Sequence, residues 1–492
     1  MSTESKKLLN RGTAVDVMSL AKTDSICVIG TGNNLSAVFF RDFLCQYREL
    51  LALKFEFPGG KAMWKAKQKQ LSVEQINGHV ANGNRSIVGR APENTEMLFT
   101  PAELFGAMAQ CSSRARMDQH AARAQVQMCR HLIARHVDDK NDRFALLDTA
   151  RTLKDYVGKA MTGLVGDGIA YLQMVRDGYR WVDHFENHIV HGKPPTTRSP
   201  DYVFSRTGDL FVALAESKAT KGASRAAFTK TVRDGYHEQV EPYLGRKIGT
   251  WIASHGYAVG SWMKSVKKAE IFIDHTVSSD PPSGNDRETS DQSDPRGVRF
   301  GSYCGVLTLL FGPDIGEVAR DRRWRPSEQN FTTVDWLGRT WIVGEDAEWE
   351  PLVVTAEEHL IFKSGPVRFV NGMALDMEVA RRVFALIESS EGDLDLMGEL
   401  PEFPVDLIEA AKRSGGAIFP DGFAVLGREE DLSHFSRIWV KPPAEGALAL
   451  VETGTPVDAL VAEGTQLIDA RFPPSPNAGV QKKQALLYLT HE

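Results

Sequence analysis

The sequence predicts an α/β fold: a central mixed sheet flanked by helices, with a mostly helical region before it and an α+β region after it. Three observations carry this reading. Between about 144 and 277, stretches of helical periodicity alternate with short apolar runs of strand length. Polar, turn-rich stretches at 138–142, 191–199 and 278–297 divide the chain. The chain has 492 residues, too many for one ordinary core, and its 42% hydrophobic content suits packed globular units.

In chain order, a buried strand is expected at 25–29, closed by Gly30-Thr31-Gly32. Helical patterns follow at 37–53 and 101–136, the second carrying Arg114, Arg116, Arg123, Arg130 and Arg135. A helix is expected over 144–176, with an interruption at the glycines from 163 to 168, then a strand within 179–189. Two short strands at 201–205 and 210–218 flank Arg206-Thr207-Gly208-Asp209, whose Thr-Gly centre suits a hairpin. A helix over 225–244, a further helix and the strand 269–274 complete this region. The segment from Ser278 to Arg296 is too polar to order itself by burial and reads as a flexible loop. Beyond it, the apolar stretch 298–312 is expected to pack back on the core. Strands at 340–343 and 417–419 and a helix at 377–389 form the C-terminal α+β region. The expected division is therefore 1–143, 144–315 and 316–492.

The net charge of −6 excludes a uniformly basic nucleic-acid binder, so such a surface would be a local patch. Five cysteines without a CxxC pair fit reduced thiols better than a disulfide framework or a structural zinc site. The polar N-terminus lacks the apolar core of a signal peptide, and no apolar run is long enough to span a bilayer. A cytoplasmic chain without membrane association is expected.

Chemistry concentrates in Pro200-Asp201 and Glu216-Ser217-Lys218. If Arg206 faces Asp209 across the turn, Asp201 falls opposite Leu214. Period-two alternation then places Asp201, Glu216 and Lys218 on one face, the carboxylates about 7–8 Å apart as diagonal neighbours. A connection one residue longer or shorter would reverse that parity. Two carboxylates can share a divalent cation, which polarises a phosphoryl oxygen and acidifies a bound water. A lysine beside them can orient that water and stabilise developing negative charge. An acidic-x-Lys triplet alone carries no weight, since Glu4-Ser5-Lys6 and Asp138-Asp139-Lys140 also match. Those two lie in polar segments with no strand around them.

Pro200-Asp201, fourteen residues, then Glu216-Ser217-Lys218 resembles the signature of the PD-(D/E)XK, or restriction-endonuclease-like, nuclease superfamily. The order helix, three strands, helix, strand resembles that family's core, over residues 149–277. The resemblance implies Asp201 and Glu216 as ligands of Mg²⁺ or Mn²⁺, joined by the backbone carbonyl of Ser217. Lys218 would position or activate the water. An acid from the first core helix corresponds to Asp167, with Glu186 as competitor, and a polar residue of the next helix to Gln239. The implied activity is phosphodiester hydrolysis, with DNA the favoured nucleic-acid substrate, a protein partner or homo-oligomer allowed, and prokaryotic restriction or phage defence as context. The alternatives are a nucleotide-sensing regulator using the Gly30 turn, whose dinucleotide fingerprint is broken at Leu35, and a nucleic-acid-binding protein on a non-catalytic core. The arginines from 114 to 135 do not share one helical face. His184, His188 and His191 show no zinc geometry, and Trp324, Trp336 and Trp341 read as core.

Overall fold

The computed structural model describes Trp64 and residues 67–76, 85–86, 96–112, 133–188, 198–264, 269–278, 293–326, 329–345, 352–356, 359–363, 369–388, 400–427, 431–441 and 449–452. The strand expected at 25–29, the Gly30 turn, the arginines from 114 to 130 and His191 lie outside these residues. Lys61–Glu492 forms one compact unit.

Its first sheet has nine strands: β1 (Lys69–Gln75), β2 (Arg85–Ser86), β3 (Glu96–Phe99), β4 (Trp181–His184), β5 (Tyr202–Ser205), β6 (Val212–Thr220), β7 (Lys247–Ile248), β8 (Trp251–Trp262) and β9 (Glu270–Ser278). They run in the order β3-β1-β9-β8-β6-β5-β4, with β2 beside β9 and β7 beside β8. The sheet is mixed: β4, β5 and β6 form an antiparallel meander, β6 pairs β8 in parallel, and β9 lies antiparallel to β8. Strands β1 and β3 come from before residue 143, so the sheet draws on both sides of that expected boundary. Their signal was local: in β1, Leu71 and Val73 are buried while Ser72 and Glu74 alternate with them.

Helices cover both faces of this sheet. On one side α1 (Pro101–Ser112) and α2 (Asp155–Arg176) pack with the inward residues Ala213, Ala215, Tyr257 and Ile271. The start of α1 is a capping box, in which Thr100 N–H donates to Glu103 Oε2 at 2.7 Å and Glu103 N–H to Thr100 Oγ1 at 3.1 Å. On the other side Phe228 and Val232 of α3 (Arg225–Gly235) pack against Leu214, Ala258 and Phe272. Ser224 caps α3 by accepting from Ala227 N–H at 3.2 Å. Burial on both faces explains why β6 opens with four consecutive apolar residues.

The C-terminal part is α+β. A seven-stranded antiparallel sheet contains β10 (Asn330–Trp336), β11 (Arg339–Glu345), β14 (Phe369–Asp376), β15 (Ala417–Ile418), β16 (Phe423–Val425), β17 (Leu432–Lys441) and β18 (Ala449–Glu452). A separate hairpin joins β12 (Leu352–Ala356) to β13 (His359–Lys363). Four helices follow α3: α4 (Arg296–Phe311), α5 (Pro313–Arg320), α6 (Met377–Glu388) and α7 (Val405–Arg413). The stretch from Val298 does pack back, as α4, burying Val298, Tyr303 and Leu310. Of the expected loop 278–297, residues 279–292 lie outside the described set. Its end is tethered where Ser293 Oγ donates to Leu210 O at 2.7 Å. Trp324, Trp336 and Trp341 are buried, and Cys111 and Cys304 are free thiols. No helix among the described residues is long and apolar enough to cross a membrane.

Three local expectations are corrected. The helix expected over 144–176 starts only at Asp155, after a 3₁₀ turn at Asp148–Thr152, and the glycines do not interrupt it. Gly166 and Gly168 instead permit close packing: a Cβ on them would stand 2.4 Å from Ala219 Cβ and 2.7 Å from Met108 Cγ. The helix expected to Leu244 is α-helical to Gly235, then a π turn (Tyr236–Val240) and a 3₁₀ turn (Glu241–Tyr243). The further helix expected before 269 is replaced by the long strand β8. Gly256 and Gly260 there leave room for Val240, Leu244, Val232 and Phe228.

Candidate active site

The connection between β5 and β6 decides whether the acids meet. Tyr202 pairs with Ala215, Val203 with Leu214 and Phe204 with Ala213. Leu214 therefore faces Val203, not Asp201 as expected. Extending the register by one residue sets Asp201 opposite Glu216. The connecting loop is longer than the expected two-residue turn by an even number, so the parity survives. Arg206 and Asp209 do form an ion pair, and Gly208 takes φ +80, but they sit within a six-residue loop that opens after Ser205. The direct pairing brings the two acids closer than the expected diagonal, with Cβ atoms about 4.5–5.5 Å apart.

Each side chain is held differently. Asp201 is exposed, and its Oδ2 accepts the Ser217 backbone N–H at 2.9 Å. A strand residue directs its N–H and C=O to the same edge, so the Ser217 carbonyl lies on the Asp201 side. Glu216 is 2% exposed. Its Oε1 accepts from Lys218 Nζ, and its buried Oε2 has no hydrogen-bond partner. Lys218 leads from that ion pair toward solvent, its side chain 27% exposed. Gly235 of α3 lies over both stems: a Cβ there would stand 3.0 Å from Lys218 Cε and 3.5 Å from Glu216 Cγ.

Electrostatics show a surplus of negative charge. Burial first, then Asp201, pushes the Glu216 carboxyl well above the usual range, although Lys218 opposes both. Glu216 and Asp201 are close enough to share a proton, yet two carboxylates without one have nothing to donate, which is why Oε2 is orphaned. Asp167 of α2 is also drawn in. Burial and then the Asp201 charge raise it to about 7, while the hydroxyls of Ser217 and Tyr202 favour its ionised form.

Gln239, the weakest candidate, lies on the π turn one turn beyond Gly235, with its amide nitrogen buried and without a hydrogen-bond partner. Glu186 falls in the 3₁₀ turn after β4. His188 Nε2 sits 3.0 Å from buried Asp183, which also pairs with Arg320, so it belongs to a structural ion cluster. An enclosed polar cavity of about 10 Å³, room for one water, lies between α1, β4, β5 and α4, and none of Asp201, Glu216 and Lys218 lines it.

One acid was missed. Asp274 of β9 pairs with Ala258, which pairs with Glu216, so it shares their sheet face two strands away. At about 4.8 Å per strand it stands about 10 Å from Glu216, too far to share one cation. Burial raises its carboxyl to about 6, with His237 and Arg233 opposing. Its signal was an acid directly after the apolar run Ile271–Ile273, where a central strand buries both faces.

Among the described residues no three acidic, histidine or cysteine side chains form a ready metal cage. Asp201, Glu216 and the Ser217 carbonyl are hard oxygen donors at one place, and one or two carboxylates with waters suit Mg²⁺. Comparison of the chain with protein-family models, curated proteins and solved structures finds no match.

Proposed function

We propose that the chain is a metal-dependent nuclease of the PD-(D/E)XK type that hydrolyses phosphodiester bonds, with DNA the favoured substrate. The observation that carries this reading is Asp201, tied to Ser217 N–H, beside buried Glu216, whose Oε2 is orphaned, next to Lys218. The sequence α2, β4, β5, β6, α3, β8 also follows the order helix, three strands, helix, strand, with β8 in the place first assigned to 269–274.

The residues fit a divalent cation. Asp201, Glu216 and the Ser217 carbonyl would hold it, and Mg²⁺ or Mn²⁺ would supply a polarised phosphoryl oxygen and an acidified water. The chain's own groups do the rest. The Ser217 N–H orients Asp201, burial leaves Glu216 eager for a cation, and the Lys218 ammonium faces the accumulating phosphoryl charge. Asp167 and Gln239 stand as additional contributors.

The test is cleavage of plasmid, linear and single-stranded DNA, and of RNA, with Mg²⁺ or Mn²⁺. Lys218→Ala should lower turnover by about 10²–10³-fold, the usual loss for one electrostatic donor. Asp201→Ala should lose metal-dependent cutting. Equal cutting by the wild type and both variants refutes the assignment.

A further inference from the structure

Ground beside the site carries cations and an exposed aromatic ring that no role above uses. Tyr156, in the first turn of α2, is 82% exposed. A tyrosine left so open gains nothing from burial, whereas its ring can stack on a base. Lys154 precedes the helix and Lys159 follows Tyr156 by three positions, both exposed. Two more cations arrive from other segments. Lys221 lies three residues past Lys218, about 10 Å along the chain, and its ammonium donates to Ala150 O beside Gly158 of α2. Exposed Arg135 and Lys221 both act on the intervening His136, whose pKa is lowered by burial first and then by these charges. Asp148 and Asp155 are the acids of the same helix entry, so these four cations outnumber them by two.

One line of α2 runs from this ground toward Asp167. Tyr156, Ala160, Gly163 and Asp167 follow one line of α2 at helical spacing. Ala160 and Gly163 are exposed, and a Cβ on Gly163 would meet nothing within 4 Å. The line covers about 16 Å, at 1.5 Å per residue. It ends at Asp167, whose carboxyl feels the Asp201 charge.

We propose that the α2 entry is the docking surface for single-stranded nucleic acid, with a base stacked on Tyr156 and the backbone held by Lys159, Lys154, Lys221 and Arg135. This rests on the nuclease reading and names its substrate as an unpaired strand led along α2 toward exposed Asp201. A duplex keeps its bases stacked on one another and offers Tyr156 none.

The test is fluorescence anisotropy of the full chain with labelled oligo-dT and a blunt duplex of equal length, in EDTA so that binding is read without cleavage. Oligo-dT should bind more tightly than duplex. Tyr156→Ala should weaken oligo-dT binding about 5- to 100-fold, the loss of one stacked base, while Tyr156→Phe keeps it. Lys159→Ala should lower the slope of log affinity against log salt by about 0.7. Unchanged affinity in Tyr156→Ala, tighter binding of duplex, or no binding of either probe overturns the proposal. Metal-dependent cutting by that same preparation would keep the nuclease reading intact, so the two fail separately.

Discussion

The Ser217 backbone N–H donates to Asp201 Oδ2 at 2.9 Å, tying the carboxylate that opens β5 to the strand that carries Glu216 and Lys218. The bond fixes one oxygen of Asp201 and leaves the other free to face Glu216. Asp201→Asn separates the two roles, because an amide oxygen still accepts from Ser217 but carries no charge. In EDTA at neutral pH the variant should be no less stable than the wild type, because the charge that raises Glu216 and Asp167 is gone. Its Mn²⁺ affinity, followed by calorimetry, should fall at least about tenfold. Wild-type affinity would remove Asp201 from the metal set.

The raised carboxyls predict how stability follows pH. Asp167 moves from 3.8 to about 7, and Glu216 is raised as well. A group that holds its proton more tightly when folded adds stability at low pH and loses it as pH climbs through the folded value. In EDTA, urea unfolding should therefore show stability falling between about pH 4 and pH 7, by up to about 1.4 kcal/mol per pH unit for each such group. Asp167→Asn should flatten that slope, and Mg²⁺ should offset it at pH 8. Stability that rises over this window in the metal-free protein would mean that neither acid is buried.

The shared face of Asp201, Glu216 and Lys218 was legible because strand parity depends only on whether the loop length is odd or even, and an error of two residues leaves it unchanged. Direct opposition of Asp201 and Glu216 was not legible, since the turn chemistry of Thr207-Gly208 marks a bend without saying where pairing resumes. Strand β8 was hidden for a different reason. Trp251–Trp262 is covered on both faces and interrupted by Gly256 and Gly260, so it has no period of two, and its glycines answer to α3 and the turns beyond it. Asp274 and Tyr156 depend on long-range placement that no local pattern encodes.

Packing of α2 on β6 offers a test of how tightly the site is framed. A Cβ on Gly166 would stand 2.4 Å from Ala219 Cβ, closer than carbon atoms tolerate. Gly166→Ala should force the helix outward and cost about 1–3 kcal/mol, the usual price of overpacking. Ala219→Gly in the same chain should recover part of that loss, a coupling that independent sites do not show. Because Asp167 follows Gly166, cleavage should fall with Gly166→Ala even where the protein remains folded. Full additivity of the two substitutions in urea denaturation would mean that the close approach does not exist.

Edge strand β4 carries another buried carboxylate. Asp183 on β4 is buried, and Arg320 of α5 meets it at 3.2 Å while His188 approaches at 3.0 Å. Burial alone would raise the Asp183 carboxyl, but Arg320 and His188 hold it well below the usual range. Gly301 of α4 lies directly over it, since a Cβ there would overlap Asp183 Oδ2 at 1.8 Å. Arg320→Ala would take the guanidinium away from a buried carboxylate, so it should destabilise the chain by about 3–5 kcal/mol. Asp183→Asn with Arg320→Ala should lose less than Arg320→Ala alone, because no uncompensated charge then remains. Urea unfolding decides it: an Arg320→Ala penalty below about 1 kcal/mol would place the pair among solvent-screened surface contacts.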